Sequence, residues 1–202
     1  MDLLEYEKKL YAQGYSLIAG TDEVGRGPLV GPVVAAAVIL PKNYTLDGLN
    51  DSKKLSEKMR NEYYNILVKD AVSYAVGVVD AKEIDEINIY EASRKAMIKA
   101  LKGLSVKPDF ILSDAMPLPF DNSKAIIHGD ALSLSIAAAS VIAKVTRDEM
   151  MYELDKVHPE YGFKNHKGYP TKKHLENLKK YGILDSYRLT YKPVKAIMEE
   201  SK

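Results

Sequence analysis

The constraint that most limits the fold is the run VVAAAVIL at residues 33–40. It is short, apolar and carries several β-branched side chains, so it reads as a central strand buried on both faces. Such a strand needs other elements above and below its sheet. A second stretch, SIAAASVIAKV at 135–145, is apolar almost all round. That pattern argues a helix sunk in the core. Together they predict an α/β fold: a mixed sheet flanked by helices, followed by a helical, basic C-terminal part.

The intervening sequence supplies the other elements. Residues 15–21 read as a first strand, and Gly25, Gly27, Pro28, Gly31 and Pro32 force a turn between it and the apolar strand. Ser56 is placed to cap a helix with Glu57 in its first turn, running to about residue 69 and burying Tyr63, Ile66 and Leu67. Residues 71–79 alternate, which predicts a strand with Val72, Tyr74, Val76 and Val78 on its core face. Ile84, Ile87, Ala92, Ala96 and Ala100 keep helical spacing over 83–101, with Gly103 as the stop. Residues 110–113 and 125–127 are short strands, one halting at Asp114 and the other near Asp130. A long helix over 134–154 and a further one over 172–181 complete the pattern.

Among the 202 residues there is no cysteine, which excludes disulfides, thiolate nucleophiles and Cys-ligated metal sites. Any metal must be held by oxygen or by the four histidines. His128, His158, His166 and His174 lack zinc-ligand spacing and read as surface residues or as supports behind a site. The N-terminal MDLLEYEKKL is charged and amphipathic, unlike a signal peptide, and the apolar runs are far too short to cross a bilayer. A soluble, cytoplasmic protein with no membrane partner is expected. The net charge of +1 conceals an asymmetry: residues 164–195 carry nine Lys or Arg against two Asp or Glu, whereas residues 1–163 carry 19 against 24. A basic end on an acidic body fits a polyanionic partner, although composition alone favours a solvated lysine-rich face.

Four acids stand out by position. Asp22 and Glu23 end the first strand, Asp114 ends FILSD, and Asp130 ends AIIHGD. Strand ends can converge on one sheet edge. Two full charges 4 Å apart repel by roughly 4 kcal/mol at an effective dielectric near 20, a cost tolerated where divalent cations lie between them. Taken alone, each acid reads more readily as an ordinary strand-end or capping residue. Asp22 and Glu23 are adjacent, so they can share a site only if the chain has left regular strand geometry there. Gly25-Arg26-Gly27 follows at once: its glycines allow backbone N–H groups to approach a ligand, and Arg26 adds a fork for phosphate. Ser52, Lys53 and Lys54 precede a helix start, a setting that suits anionic oxygens. Tyr169, in HKGYPT, can stack on a sugar or base.

These segments together resemble the ribonuclease HII family, from Gly20 to about Tyr181. The resemblance is carried by GTDEVGRGPLVGPVVAAAV at 20–38, DSKKLS at 51–56, SDA at 113–115, GDALSLSIAAASVIAKVTRDEMM at 129–151 and HPEYGFKNHKGYPTKKH at 158–174. It implies a ribonuclease H-like mixed five-stranded sheet, with residues 1–160 as the core and 161–202 as a basic substrate-binding segment of a single catalytic domain. It further implies that Asp22, Glu23, Asp114 and Asp130 are the catalytic acids and ligands of two divalent ions, Mn²⁺ or Mg²⁺. Gly25, Arg26 and Gly27 would read the ribose 2′-hydroxyl through the backbone, Tyr169 would be the recognition tyrosine, and Ser52, Lys53 and Lys54 would contact substrate. The implied partners are RNA–DNA hybrids and duplex DNA containing ribonucleotides, cut 5′ of the ribonucleotide to give 5′-phosphate and 3′-hydroxyl ends. A monomer suffices for that chemistry. DSYRLTYKPV at 185–194 departs from the pattern: many relatives have a histidine before the arginine and a phenylalanine where Tyr191 stands. The glycine-arginine-glycine loop and the lack of a long leading segment speak against the related ribonuclease HIII. The competing expectations are a non-catalytic hybrid-binding module using the same loop and tail, and another nuclease of this fold, such as a junction resolvase.

Overall fold

The computed structural model describes residues 3–49 and 55–200. Five strands form one mixed sheet: β1 (Ile18–Val24), β2 (Val33–Ile39), β3 (Ser73–Val79), β4 (Phe110–Asp114) and β5 (Ser123–Ile126), in the order β3-β2-β1-β4-β5. β2 is antiparallel to both β1 and β3, whereas β1, β4 and β5 run parallel. All of β2 is buried, as its apolar run requires. Its side chains alternate between two cores. Ala35, Ala37 and Ile39 meet Ala92, Ala96 and Ala100 of α3 (Ala81–Gly103), while Ala36 and Val38 meet Ala137, Val141 and Ile142 of α4 (Leu134–Val157). α2 (Glu57–Asp70) closes the outside of the second core, with Leu67 fully buried and Ser56 accepting the Met59 N–H as its cap.

Small residues let both helices sit close to the sheet. A Cβ on Gly20 would lie 2.1 Å from the Ser135 carbonyl carbon, and one on Gly77 would lie 2.0 Å from the Ala96 oxygen. This close approach corrects the reading of β3. The face carrying Ser73, Gly77 and Val79 is the one pressed against α3, and Val72 and Tyr74 are exposed. α3 comes closest at Gly77, while on the other face Val76 packs against the second core and Tyr74 reaches solvent. Ile66 of α2, expected in the core, is exposed as well. α3 is broken at Asn88, whose φ is +69°; its side chain caps the second segment by accepting the Tyr90 and Glu91 N–H groups.

α1 (Glu5–Ala12) packs beside β1 and carries Glu7, which is buried. The Glu7 carboxylate accepts from the Ser133 hydroxyl at 2.6 Å and the Ser135 N–H at 3.0 Å, at the N-terminus of α4. A negative charge is favoured there by the orphan N–H groups and the helix dipole.

After α4 the chain forms α5 (Phe163–His166), α6 (Lys172–Tyr181) and α7 (Lys192–Glu200). They are not a loose tail. Tyr161, Phe163, Leu178, Tyr187, Val194 and Ile197 bury themselves with Leu29, Val30 and Met151. Among the described residues, no helix is long and apolar enough to cross a membrane.

Candidate metal centre and nucleic-acid interface

Strand register brings the acids together. β1 and β4 are parallel with Thr21 opposite Ser113, so Asp22 and Asp114 lie side by side at the carboxyl ends of neighbouring strands. The alternation decides which way each points. Ile18 and Gly20 of β1 and Leu112 of β4 face α4 or α1, so Asp22 and Asp114, at even spacing from them, face α4 too. Asp130 arrives on a one-turn 3₁₀ segment, Gly129–Ala131, directly before α4. One carboxylate oxygen from each of Asp22, Asp114 and Asp130 lies within 4.8 Å of the others.

Local bonds hold this geometry. Asp114 Oδ1 accepts the Gly129 N–H at 2.7 Å, tying the end of β4 to the turn that carries Asp130. Asp22 Oδ1 accepts the Glu23 N–H at 2.7 Å, and Ser140 on α4 supports the same carboxylate. Ala115 and His128, flanking the site, adopt φ of +50° and +58°. Non-glycine residues rarely occupy that region, and such strain concentrates at functional sites.

Glu23 is placed differently from the expectation. β1 continues through Val24, with Asp22 paired to Ala36 and Glu23 to Ala35, so strand geometry does not end before the acidic pair. Glu23 therefore leaves from the opposite face, outside the group of three aspartates. Its Oε1 receives Arg26 at 3.3 Å, while its Oε2 is buried without a hydrogen-bond partner. Electrostatically it still belongs to the cluster. Burial pushes Glu23 up to about 7, and Asp114 adds to that rise against the opposing pull of Arg26. Burial, then the charges of Glu23 and Asp114, pushes Asp22 well above the usual carboxylate range. Crowded buried carboxylates and an orphan acceptor oxygen form an oxygen-only donor set suited to hard divalent cations.

Beside this cluster lies the 25–27 loop. Gly25 has φ +95°, and a Cβ there would strike Arg147 Nε at 2.2 Å. A Cβ on Gly27 would come within 3.2 Å of the Tyr169 ring, so the loop and the tyrosine are neighbours. Tyr169 is 45% exposed, so its side chain is partly open to a ligand. Its backbone is fixed from below: the Tyr169 carbonyl accepts from His174 Nδ1 at 2.8 Å, and His174 Nε2 faces the Tyr187 hydroxyl at 2.7 Å. The carbonyl can only accept, so Nδ1 carries the proton and neutral Nε2 accepts from the phenol. Burial lowers His174 to about 4, keeping it neutral. His174 is thus buried and takes the second of the two roles read for the histidines, a support behind Tyr169, and its ring closes the aromatic cluster with Phe163 and Tyr187. Ser52, Lys53 and Lys54 lie outside the described residues.

Two residues escaped the sequence reading. Arg147 and Arg188 are 1% and 0% exposed. Arg147 donates to the Pro32, Lys167 and Val30 carbonyls, joining the 30–32 segment to the loop before Tyr169. Arg147 stands in the run KVTRDE, where a charged residue is ordinary, so residue type gave no signal.

Similarity to known proteins extends over nearly the whole chain. A family model described as Ribonuclease HII matches residues 19–194. Ribonuclease HII of Bacillus subtilis (strain 168) is 55% identical over 197 residues, covering 97% of this chain and 77% of its own. That of Geobacillus sp. (strain WCH70) is 53% identical over 202 residues, covering 100% of this chain and 73% of its own. The crystal structure of the ribonuclease H2 from Pyrococcus horikoshii OT3 superposes with a TM-score of 0.78 at 30% identity, covering 91% of this chain and 98% of that one.

Proposed function

The chain belongs to the ribonuclease HII family, metal-dependent endoribonucleases of RNA–DNA hybrids, and from that premise we propose how its own residues perform the cleavage. Asp22, Asp114 and Asp130, with Glu23 at their margin, would hold divalent ions, Mn²⁺ or Mg²⁺, two being the number the four acids suit. When bound, such ions supply an activated water and stabilise the charge of the leaving 3′-oxygen. The single observation that carries this reading is the meeting of three aspartate oxygens within 4.8 Å at the carboxyl ends of β1 and β4.

The remaining roles are assigned to the neighbouring surface. The Gly25–Gly27 backbone approaches the ribose 2′-hydroxyl, the group that distinguishes RNA from DNA at a site. Arg26, 47% exposed at its side chain, faces the phosphate. Tyr169 stacks against the sugar or base beside it. Exposed Lys172, Lys173, Lys179 and Lys180 on α6 track the duplex backbone. The substrates are hybrids and DNA duplexes with embedded ribonucleotides, cut on the 5′ side of the ribonucleotide, and sequence readout is not expected.

The test is a DNA duplex containing one ribonucleotide, incubated with Mg²⁺ or Mn²⁺, with product ends mapped. Cleavage 5′ of the ribonucleotide, abolished by chelator and absent on an all-DNA duplex, supports the reading. Binding without cleavage would instead indicate a hybrid-binding module, and cleavage of branched all-DNA substrates a resolvase. Two substitutions extend the test. Tyr169→Ala lowers kcat/KM on the single-ribonucleotide duplex by roughly 5- to 150-fold, the value of about 1–3 kcal/mol for one stacked ring. Lys172→Gln with Lys173→Gln weakens binding uniformly across sequences and flattens the slope of log K against log salt by about 2. An unchanged slope would reduce those lysines to a solvated face.

A further inference from the structure

The loop that carries Gly25, Arg26 and Gly27 is held from behind by one guanidinium. Arg188 Nη2 donates to the Gly25 carbonyl at 2.7 Å and the Gly31 carbonyl at 2.8 Å. Its Nε donates to Gly31 at 3.0 Å and its Nη1 to the Arg26 carbonyl at 3.1 Å. The Tyr191 hydroxyl donates to that same Arg26 carbonyl at 2.7 Å and accepts from Arg188 Nη1 at 3.0 Å. Burial lowers the pKa of Arg188, the neighbouring Tyr191 opposes that shift, and a guanidinium retains its proton in a protein.

The consequence follows from the peptide plane. In a trans peptide the carbonyl of one residue and the N–H of the next lie in one plane and point in opposite directions. Among the described residues no peptide bond is cis. Turning the carbonyls of Gly25 and Arg26 inward onto Arg188 therefore turns the N–H groups of Arg26 and Gly27 outward. Among the described residues, those two N–H groups donate to no protein acceptor. Tyr169 rests against the same loop, its ring 3.2 Å from where a Cβ on Gly27 would lie.

We propose that Arg188 and the Tyr191 hydroxyl are positioning residues for ribose discrimination: they pin two consecutive carbonyls so that two N–H groups present themselves to a ribose 2′-oxygen. This rests on the reading of the 25–27 loop as the ribose sensor. Neither side chain touches the sugar. The buried positive charge behind the loop polarises both peptides and strengthens the outward donors.

Equilibrium binding of the full chain to two duplexes tests this, one with a single ribonucleotide and one all-DNA of the same sequence. Ca²⁺ replaces Mg²⁺, and the absence of cleavage is checked on the same samples. Wild type prefers the ribonucleotide duplex. Tyr191→Phe, which keeps the ring and removes one hydrogen-bonding oxygen, narrows that preference by about 3- to 10-fold, with all-DNA affinity and melting temperature nearly unchanged. Arg188→Lys narrows it further. A wild type without preference overturns the sensor reading and this inference with it. A wild-type preference retained in both variants overturns the inference alone. Equal losses on both duplexes, following a fall in melting temperature, make the pair merely structural and also overturn it.

Discussion

Asp114→Asn abolishes turnover, lowering kcat/KM by more than about 10²-fold, and leaves the metal-free protein as stable as wild type or more so. The two halves of this result have separate causes. Loss of activity follows from removing an anionic oxygen from the group that lies within 4.8 Å at the ends of β1 and β4. Even a residue that only orients a metal ligand costs 10- to 100-fold when lost. The stability of the variant follows from what Asn keeps and what it removes. Its amide oxygen still accepts the Gly129 N–H that ties the strand to the Asp130 turn. What disappears is a charge that raises the pKa of both Asp22 and Glu23. Two charges 4.8 Å apart repel by about 3 kcal/mol at an effective dielectric of 20, and the protons held by the raised carboxyls already relieve part of this, so a gain of about 1–2 kcal/mol is expected. Denaturant titration in chelator measures it beside steady-state cleavage in Mg²⁺. A variant that retains turnover, or that loses several kcal/mol without metal, would show that Asp114 is a structural cap and not part of an ion-holding group.

The fold was legible where pattern and burial coincide. The apolar run became β2, with every residue buried, and the alanine-rich stretch became α4, whose Ala137, Ala138 and Ala139 are fully covered. The helix over 172–181 has the bounds its pattern predicts. The reading of β3 failed for a definable reason. Hydrophobic alternation records which side chains are apolar, but the approach distance of α3 decides which face is pressed, and only Gly77 hints at that distance. The first strand lies three residues later than its pattern suggests, at Ile18–Val24, because pairing with β2 carries it on to Val24.

The candidate site divides in the same way. The aspartates were legible as strand-end acids because parallel neighbours bring carboxyl ends to one edge. The separate direction of Glu23 was not, because it depends on where pairing stops. Arg188 was harder still. Its acceptors are backbone carbonyls at Gly25, Arg26 and Gly31, far away in the chain, and a carbonyl leaves no mark on residue type. The departure at Tyr191 was visible in DSYRLTYKPV, but the use of its hydroxyl is visible only in the contact with the Arg26 carbonyl. The basic composition of 164–195 was read as a tail for a polyanion. Its apolar side chains Leu178, Tyr187 and Val194, joined by Ile197, build a core with Leu29 and Val30 just after the glycine loop. Deleting the segment would expose Leu29 and Val30 and release the loop, so charge substitution, not truncation, isolates the electrostatic contribution.

The second large effect concerns pH in the absence of metal. Glu23 rises from an ordinary 4.5 to about 7 in the folded protein, chiefly through burial, and Asp22 rises in the same direction. Between those values the folded state holds protons that the unfolded chain releases. The Glu23 contribution to stability therefore falls as pH rises from 4.5 toward 7 and levels off above it. The Glu23 shift alone corresponds to about 3 kcal/mol, to which Asp22 adds with the same sign. Divalent cations compete with those protons, so Mg²⁺ or Mn²⁺ raises the melting temperature more at the upper end of the window than at the lower, and binding releases protons. Thermal melts across that window, with chelator and with saturating cation, give two curves that diverge as pH rises. In Asp114→Asn the chelator curve is flatter, because one source of the raised carboxyl values is gone. Parallel curves in wild type would mean that the carboxylates do not take up the ion, and the arrangement of Asp22, Asp114 and Asp130 would then need another explanation.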